Sequence, residues 1–143
     1  MKKKNGFTLI EMLIVIAILA ILYSISAANV TGMQTEAKMS KANGDLKTLK
    51  LALDSFFKNN NIYPTEANYQ RTLIQERPSI LTGNLMDPFG NTVNTMYSYE
   101  ISYDMQNYVV YSVGPRRNGE ATIGEDGHVT IKEDPIIATN GYR

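Results

Sequence analysis

The apolar and polar positions of the chain fall into three successive patterns. From residue 7 to residue 28 nearly every side chain is apolar, interrupted by Thr8, Glu11, Tyr23, Ser24 and Ser26. At ~1.5 Å per residue these positions form about 33 Å of helix, enough to cross a hydrocarbon core of roughly 30 Å. Beyond residue 29 the apolar residues thin to Val30, Met33, Ala37, Ala42, Leu46, Leu49, Leu53 and Phe56, with Lys38, Lys41, Asp45 and Lys50 among them. Spacings of three, four and five put that set on one helix face. Asn59, Asn60 and Asn61, followed by Tyr63 and Pro64, close the helix at about residue 59, because the residue before proline disfavours the α region. The exposed half of such a helix needs something to cover its stripe, and the remainder of the chain has to supply it.

That remainder changes period. Thr65 is a candidate N-cap for a short helix over residues 66–75, and Pro78 bounds it. Residues 81–95 are turn-rich. Residues 97–103 alternate with period two, as a half-buried strand does. Residues 104–107 read as a hairpin loop and 108–113 as the return strand. Residues 114–127 read as an irregular loop, and 128–132 as a candidate third strand. The expected fold is therefore α+β: a long N-terminal helix packed on a small antiparallel sheet.

Composition removes most chemistry. The 143 residues contain no Cys and one His, so disulfide scaffolds, thiolate sites and multi-histidine metal sites are excluded. Fourteen Lys and Arg balance fourteen Asp and Glu, which argues against a nucleic-acid binder working by bulk positive charge. His128 reads as a strand-edge residue and the tyrosines at 97, 99, 103, 108 and 111 as cross-strand packing. No nucleophile–base spacing is visible, so the chain is not expected to be an enzyme. Lys2, Lys3 and Lys4 precede the apolar run and no further base occurs until Lys38, which places the N-terminus in the cytoplasm and the rest of the chain across the membrane.

Glu11 is the anomaly. A secretory signal ending near Ser24 and Ser26 and a plain membrane anchor both leave it unexplained, since an ionisable group inside an apolar span costs free energy and usually marks function. A cut between Gly6 and Phe7 would create an ammonium one turn before Glu11, on the same helix face. The carboxylate would pair with that amine or with the amine of a neighbouring chain.

Residues 3–18, KKNGFTLIEMLIVIAI, closely resemble the prepilin signal of type IV pilins and type II secretion pseudopilins. The resemblance implies cleavage by a prepilin peptidase after Gly6, N-methylation of Phe7, and a role for Glu11 in ordering subunits into a helical filament. It divides the chain into a leader at 1–6, a transmembrane assembly helix at 7–28 and a periplasmic domain at 29–143. Ala20 and Ala28 stand where many family members carry helix-breaking Gly and Pro, so this helix has no reason to kink. Further on, Tyr63-Pro64-Thr65, Asp87-Pro88-Phe89-Gly90 and Ser112-Val113-Gly114-Pro115 are similar to the major pseudopilin pattern. Implied partners are other copies of the chain, minor pseudopilins, an inner-membrane assembly platform and, indirectly, a secretin and secreted proteins. A pilus or competence pilin is the alternative, and a membrane-anchored binding module a more distant one.

The resemblance also implies Ca²⁺ in the loop after Pro115, with Glu120, Glu125, Asp126 and the Val113 carbonyl as candidate ligands. Ca²⁺ takes six to eight oxygens. Arg116 and Arg117 lie where the family often has an acidic residue, and two guanidinium groups oppose a divalent cation.

Overall fold

The computed structural model describes residues 7–142, with the side chains at 26–29 and 31 outside the description. The first helix, α1, is Leu9–Asn60. It ends where Asn61 turns to a φ of 57° and donates its N–H to the Phe57 carbonyl at 2.7 Å. The chain divides into two compact units, Met1–Glu36 and Ala37–Arg143.

In the first unit the described side chains of α1 are all exposed, from Leu9 at 84% to Ile25 at 60%. Among the described residues no helix is long and apolar enough to cross a membrane. The membrane span expected over 7–28 is thus not a finding of the structure.

In the second unit α1 buries Ala42, Leu46, Leu49, Leu53 and Phe56 as expected from their spacing, and Ala52 besides; Val30, Met33 and Ala37 of the expected stripe are exposed. A single 3-10 turn, Glu66–Asn68, leads into α2, Tyr69–Gln75. Thr65 occupies the N-cap position but its side chain makes no capping hydrogen bond. The strands are β1 (Ser98–Ile101), β2 (Tyr108–Ser112), β3 (Glu120–Ile123), β4 (Val129–Lys132) and β5 (Ile136–Thr139). They form two sheets, β1-β2-β5 and the hairpin β3-β4, all neighbours antiparallel.

Two of these elements differ from the sequence reading. The segment 128–132 does not extend the first sheet; it pairs with β3, which lies inside the supposedly irregular loop. The place of third strand goes to β5, whose Ile-Ile-Ala-Thr shows no alternation because both of its faces are half covered. Ile136 and Ala138 pack into the cluster that contains the α1 stripe, Tyr99, Tyr108 and Val110, whereas Ile137 packs with Val109, Tyr111, Ala121 and Val129. Strand β2 is accordingly buried at all five positions, with α1 on one face and the β3-β4 hairpin on the other.

Polar groups inside this core are partnered. Tyr69 donates its hydroxyl to the Tyr97 carbonyl, Tyr97 to Asp45, and Tyr99 to the Pro64 carbonyl. Tyr63 and Tyr108 both donate to Oδ1 of Asp54. Burial is the first cause that pushes the Tyr63 phenol up to about 12, with the Asp54 charge second. Burial likewise raises Tyr69, Tyr97, Tyr99 and Tyr108.

Candidate functional site

The start of α1 is fixed by a reciprocal cap. Thr8, just before the first helical residue, accepts the Glu11 N–H on Oγ1 at 3.3 Å. The Glu11 carboxylate turns back and accepts from the Thr8 N–H at 2.8 Å and from the Thr8 hydroxyl at 2.9 Å. This is a capping box, Thr-x-x-Glu, in which each side chain satisfies a backbone donor left over at the helix N-terminus. Negative charge there also suits the helix dipole. The carboxylate expected to await an amine is therefore already oriented toward the chain's N-terminal side. Thr8 was the residue missed in the sequence, although a Thr three positions before a Glu ahead of an apolar run is its signature. Phe7 lies immediately before the cap and is 77% exposed. Gly6 falls outside the described residues.

The loop candidates do not gather. The Val113 carbonyl accepts the Gly119 N–H at 2.9 Å. Glu120 sits in β3 opposite Lys132, their charged atoms 3.8 Å apart. Asp126 caps the β3-β4 turn by accepting the His128 N–H at 3.0 Å, and Glu125 is exposed beside it. Arg116 and Arg117 are exposed in the preceding turn, with Arg117 at a φ of 60°. Among the described residues no group of three or more His, Cys, Asp or Glu is placed to hold a metal. Strand pairing explains why: the hairpin that absorbs Glu120 and Asp126 separates what a flexible loop would have let converge. The residues present do not fit Ca²⁺.

A buried carboxylate, Asp87, is not singled out by the sequence. Asp87 is 6% exposed and accepts three hydrogen bonds: from the Ser112 hydroxyl at 2.7 Å, the Val113 N–H at 3.0 Å and the Phe89 N–H at 2.9 Å. It joins the Asp-Pro-Phe-Gly turn to the Ser-Val-Gly-Pro loop, so two separate sequence motifs are one structural unit.

A long capped helix with an unburied apolar start, followed by a small antiparallel sheet on its second half, defines the pilin-like class of α+β proteins. Residues 1–26 match the family model described as the prokaryotic N-terminal methylation motif. Residues 29–132 match the one described as type II secretion system (T2SS), protein G. The chain belongs to the type II secretion system protein G family. The type II secretion system core protein G of Vibrio cholerae is 31% identical over 145 residues, covering 93% of this chain and 97% of that one. The protein of the same name from Pseudomonas aeruginosa is 28% identical over 124 residues, covering 79% and 84%. The type IV major pilin protein PilA of Myxococcus xanthus is 42% identical over 66 residues, covering 46% of this chain and 30% of that protein. No solved structure matches.

Proposed function

We propose that the chain is the major subunit of a helical pseudopilus in type II protein secretion, with a structural and not an enzymatic role. The observation that carries this reading is the capped Glu11 at the head of an exposed apolar helix, in a chain of the protein G family. A prepilin peptidase cuts between Gly6 and Phe7 and the new terminus is methylated at Phe7. The precursor is held in the inner membrane by residues 7–28, N-terminus in the cytoplasm, with residues 29–143 on the periplasmic side. Removal of residues 1–6 takes away three lysines, leaving eleven bases against fourteen acids. It also leaves an ammonium adjoining the Thr8–Glu11 box. Glu11 then pairs with its own terminus or with that of the neighbouring subunit as copies are drawn into the filament. Minor pseudopilins, the assembly platform and the secretin are the expected partners, with secreted proteins moved ahead of the filament.

The match to a Myxococcus xanthus major pilin favours a second reading, a true pilus subunit. Its short coverage, 46% of this chain against 93% for the Vibrio protein, ranks it lower. The mass of protein extracted from membranes tests the processing step. A chain beginning at methylated Phe7 is expected; a retained leader, or a start after Ser26, contradicts the reading.

A further inference from the structure

We propose that the outer edge of β5, with the groove between it and α1, is a docking site for an extended, acidic segment of another protein, which adds to the sheet as a fourth strand.

The edges of the β1-β2-β5 sheet are treated differently. On the β1 side the Tyr97 carbonyl accepts the Tyr69 hydroxyl at 2.9 Å and the Ile101 N–H donates to Glu66 at 3.3 Å, while the outward backbone groups of Tyr99 have no partner among the described residues. On β5 the direction of the backbone follows from β2. The Tyr108 N–H donates to the Asn140 side chain at 2.8 Å, and the Tyr108 carbonyl accepts the Thr139 hydroxyl. Tyr108 thus faces β5, as do Val110 and Ser112, whose partners are Ala138 and Ile136. Alternation then turns the backbone groups of Ile137 and Thr139 away from the sheet. Of these, the Thr139 carbonyl accepts Lys50 Nζ at 2.8 Å. No partner is present among the described residues for the outward groups of Ile137 or for the Thr139 N–H. Open edges of this kind are templates for an added strand.

The groove beside that edge, about 350 Å³, is lined by Asn43, Leu46, Lys47 and Lys50 of α1 and by Ile137, Ala138 and Thr139. Its charge selects the occupant. Lys50 is half buried and Lys47 exposed, and neither has a carboxylate partner among the described residues, where the ion pairs are Lys41–Asp45 and Lys132–Glu120. A half-buried ammonium resting on a neutral carbonyl lacks a countercharge, which an incoming carboxylate supplies. A second copy of this chain is disfavoured, because pairing two β5 edges would bring both copies' Lys50 together, and like charges across a sheet destabilise it. Side chains on an added strand alternate in direction, so the fitting segment carries acidic residues every second position toward α1 and apolar ones between them.

The test uses the full chain in detergent micelles and a capped synthetic peptide of alternating valine and glutamate. The peptide is expected to slow hydrogen exchange at the Ile137 and Thr139 amides and to shift their resonances. A valine–lysine peptide, and the acidic peptide with methylated backbone amides, are expected to do neither. Lys47→Gln with Lys50→Gln, its folding verified by a melting curve, is expected to weaken the acidic peptide about tenfold. The proposal is overturned if the acidic peptide leaves both amides unprotected, if the methylated peptide binds equally well, or if the double variant binds unchanged. It is also overturned if wild type binds no peptide while Lys50→Gln self-associates through β5, since Lys50 would then only guard the edge.

Discussion

Asp87 and Ser112, 25 residues apart, meet at 2.7 Å in a setting where both are buried, Ser112 donating its hydroxyl to the carboxylate. The same carboxylate holds the backbone of Phe89 and Val113. Removing it leaves both N–H groups without acceptors and the Ser112 hydroxyl unpaired, whereas removing the serine hydroxyl leaves the carboxylate two of its three donors and takes the acceptor from the Gly114 N–H alone. Asp87→Ala is therefore expected to cost about 3 kcal/mol and Ser112→Ala about 1 kcal/mol. Thermal or denaturant unfolding of the two variants checks the order. Equal losses would mean that the carboxylate acts through Ser112 alone.

Gly114 follows in the same loop at a φ of 73°, and an added Cβ would lie 2.5 Å from the Asp134 carbonyl oxygen. Both the left-handed backbone and the close approach require glycine. Gly114→Ala is expected to destabilise by at least about 2 kcal/mol. The loss should appear in the melting temperature, and amides of β5, just beyond Asp134, should exchange faster.

What could be foreseen tracks how strongly each segment is patterned. The stripe from Ala42 to Phe56 was legible because one face alone is buried, and the 97–113 hairpin because β1 alternates. Strand β5 was not, since its residues face apolar clusters on both sides and leave no period to detect. Glu120 looked like a loop ligand because Gly119, Gly124 and Gly127 surround the short β3 with turn signals. Gly6, Phe7 and Glu11 stood out through an ionisable group in an apolar run. The hydrogen bonds that orient Glu11 follow from the Thr-x-x-Glu spacing and not from any charge partner.

Five core tyrosines share one dependence on pH. Tyr63, Tyr69, Tyr97, Tyr99 and Tyr108 all have phenols raised by burial. A raised folded value favours the neutral form, so the stability these phenols contribute is complete below the unfolded value of about 10. It is lost as pH rises toward the folded values, about 12 for Tyr63. The protein is expected to unfold cooperatively above about pH 10, with tyrosinate absorbance rising in step with loss of helix. Ionisation of all five phenols while the helix signal stays constant would contradict this packing.

Because Glu120, Asp126 and the Val113 carbonyl are engaged by Lys132, His128 and Gly119, chelation has nothing to remove. The melting temperature in a strong chelator is expected to equal that in added Ca²⁺. A rise of several degrees with Ca²⁺, the mass-action signature of a ligand bound to the folded state alone, would show that the loop rearranges to take the ion.

Glu11 has two separable properties, the hydrogen bonds of its cap and its charge. Glu11→Gln preserves a Thr-x-x-Gln capping box, so α1 should start as before, while the partner for the Phe7 ammonium is lost. An ammonium left unpaired in a poorly solvated assembly costs roughly 3–5 kcal/mol at each added subunit. The direct measurement is electron microscopy of cells overproducing the wild type or Glu11→Gln, with fractionation of the same cells. Filaments from the wild type, and cleaved membrane monomer without filaments from the variant, are the expected result. Normal filaments from Glu11→Gln would refute the charge-pair account of assembly, and no filaments from either protein would contradict the filament-subunit reading itself.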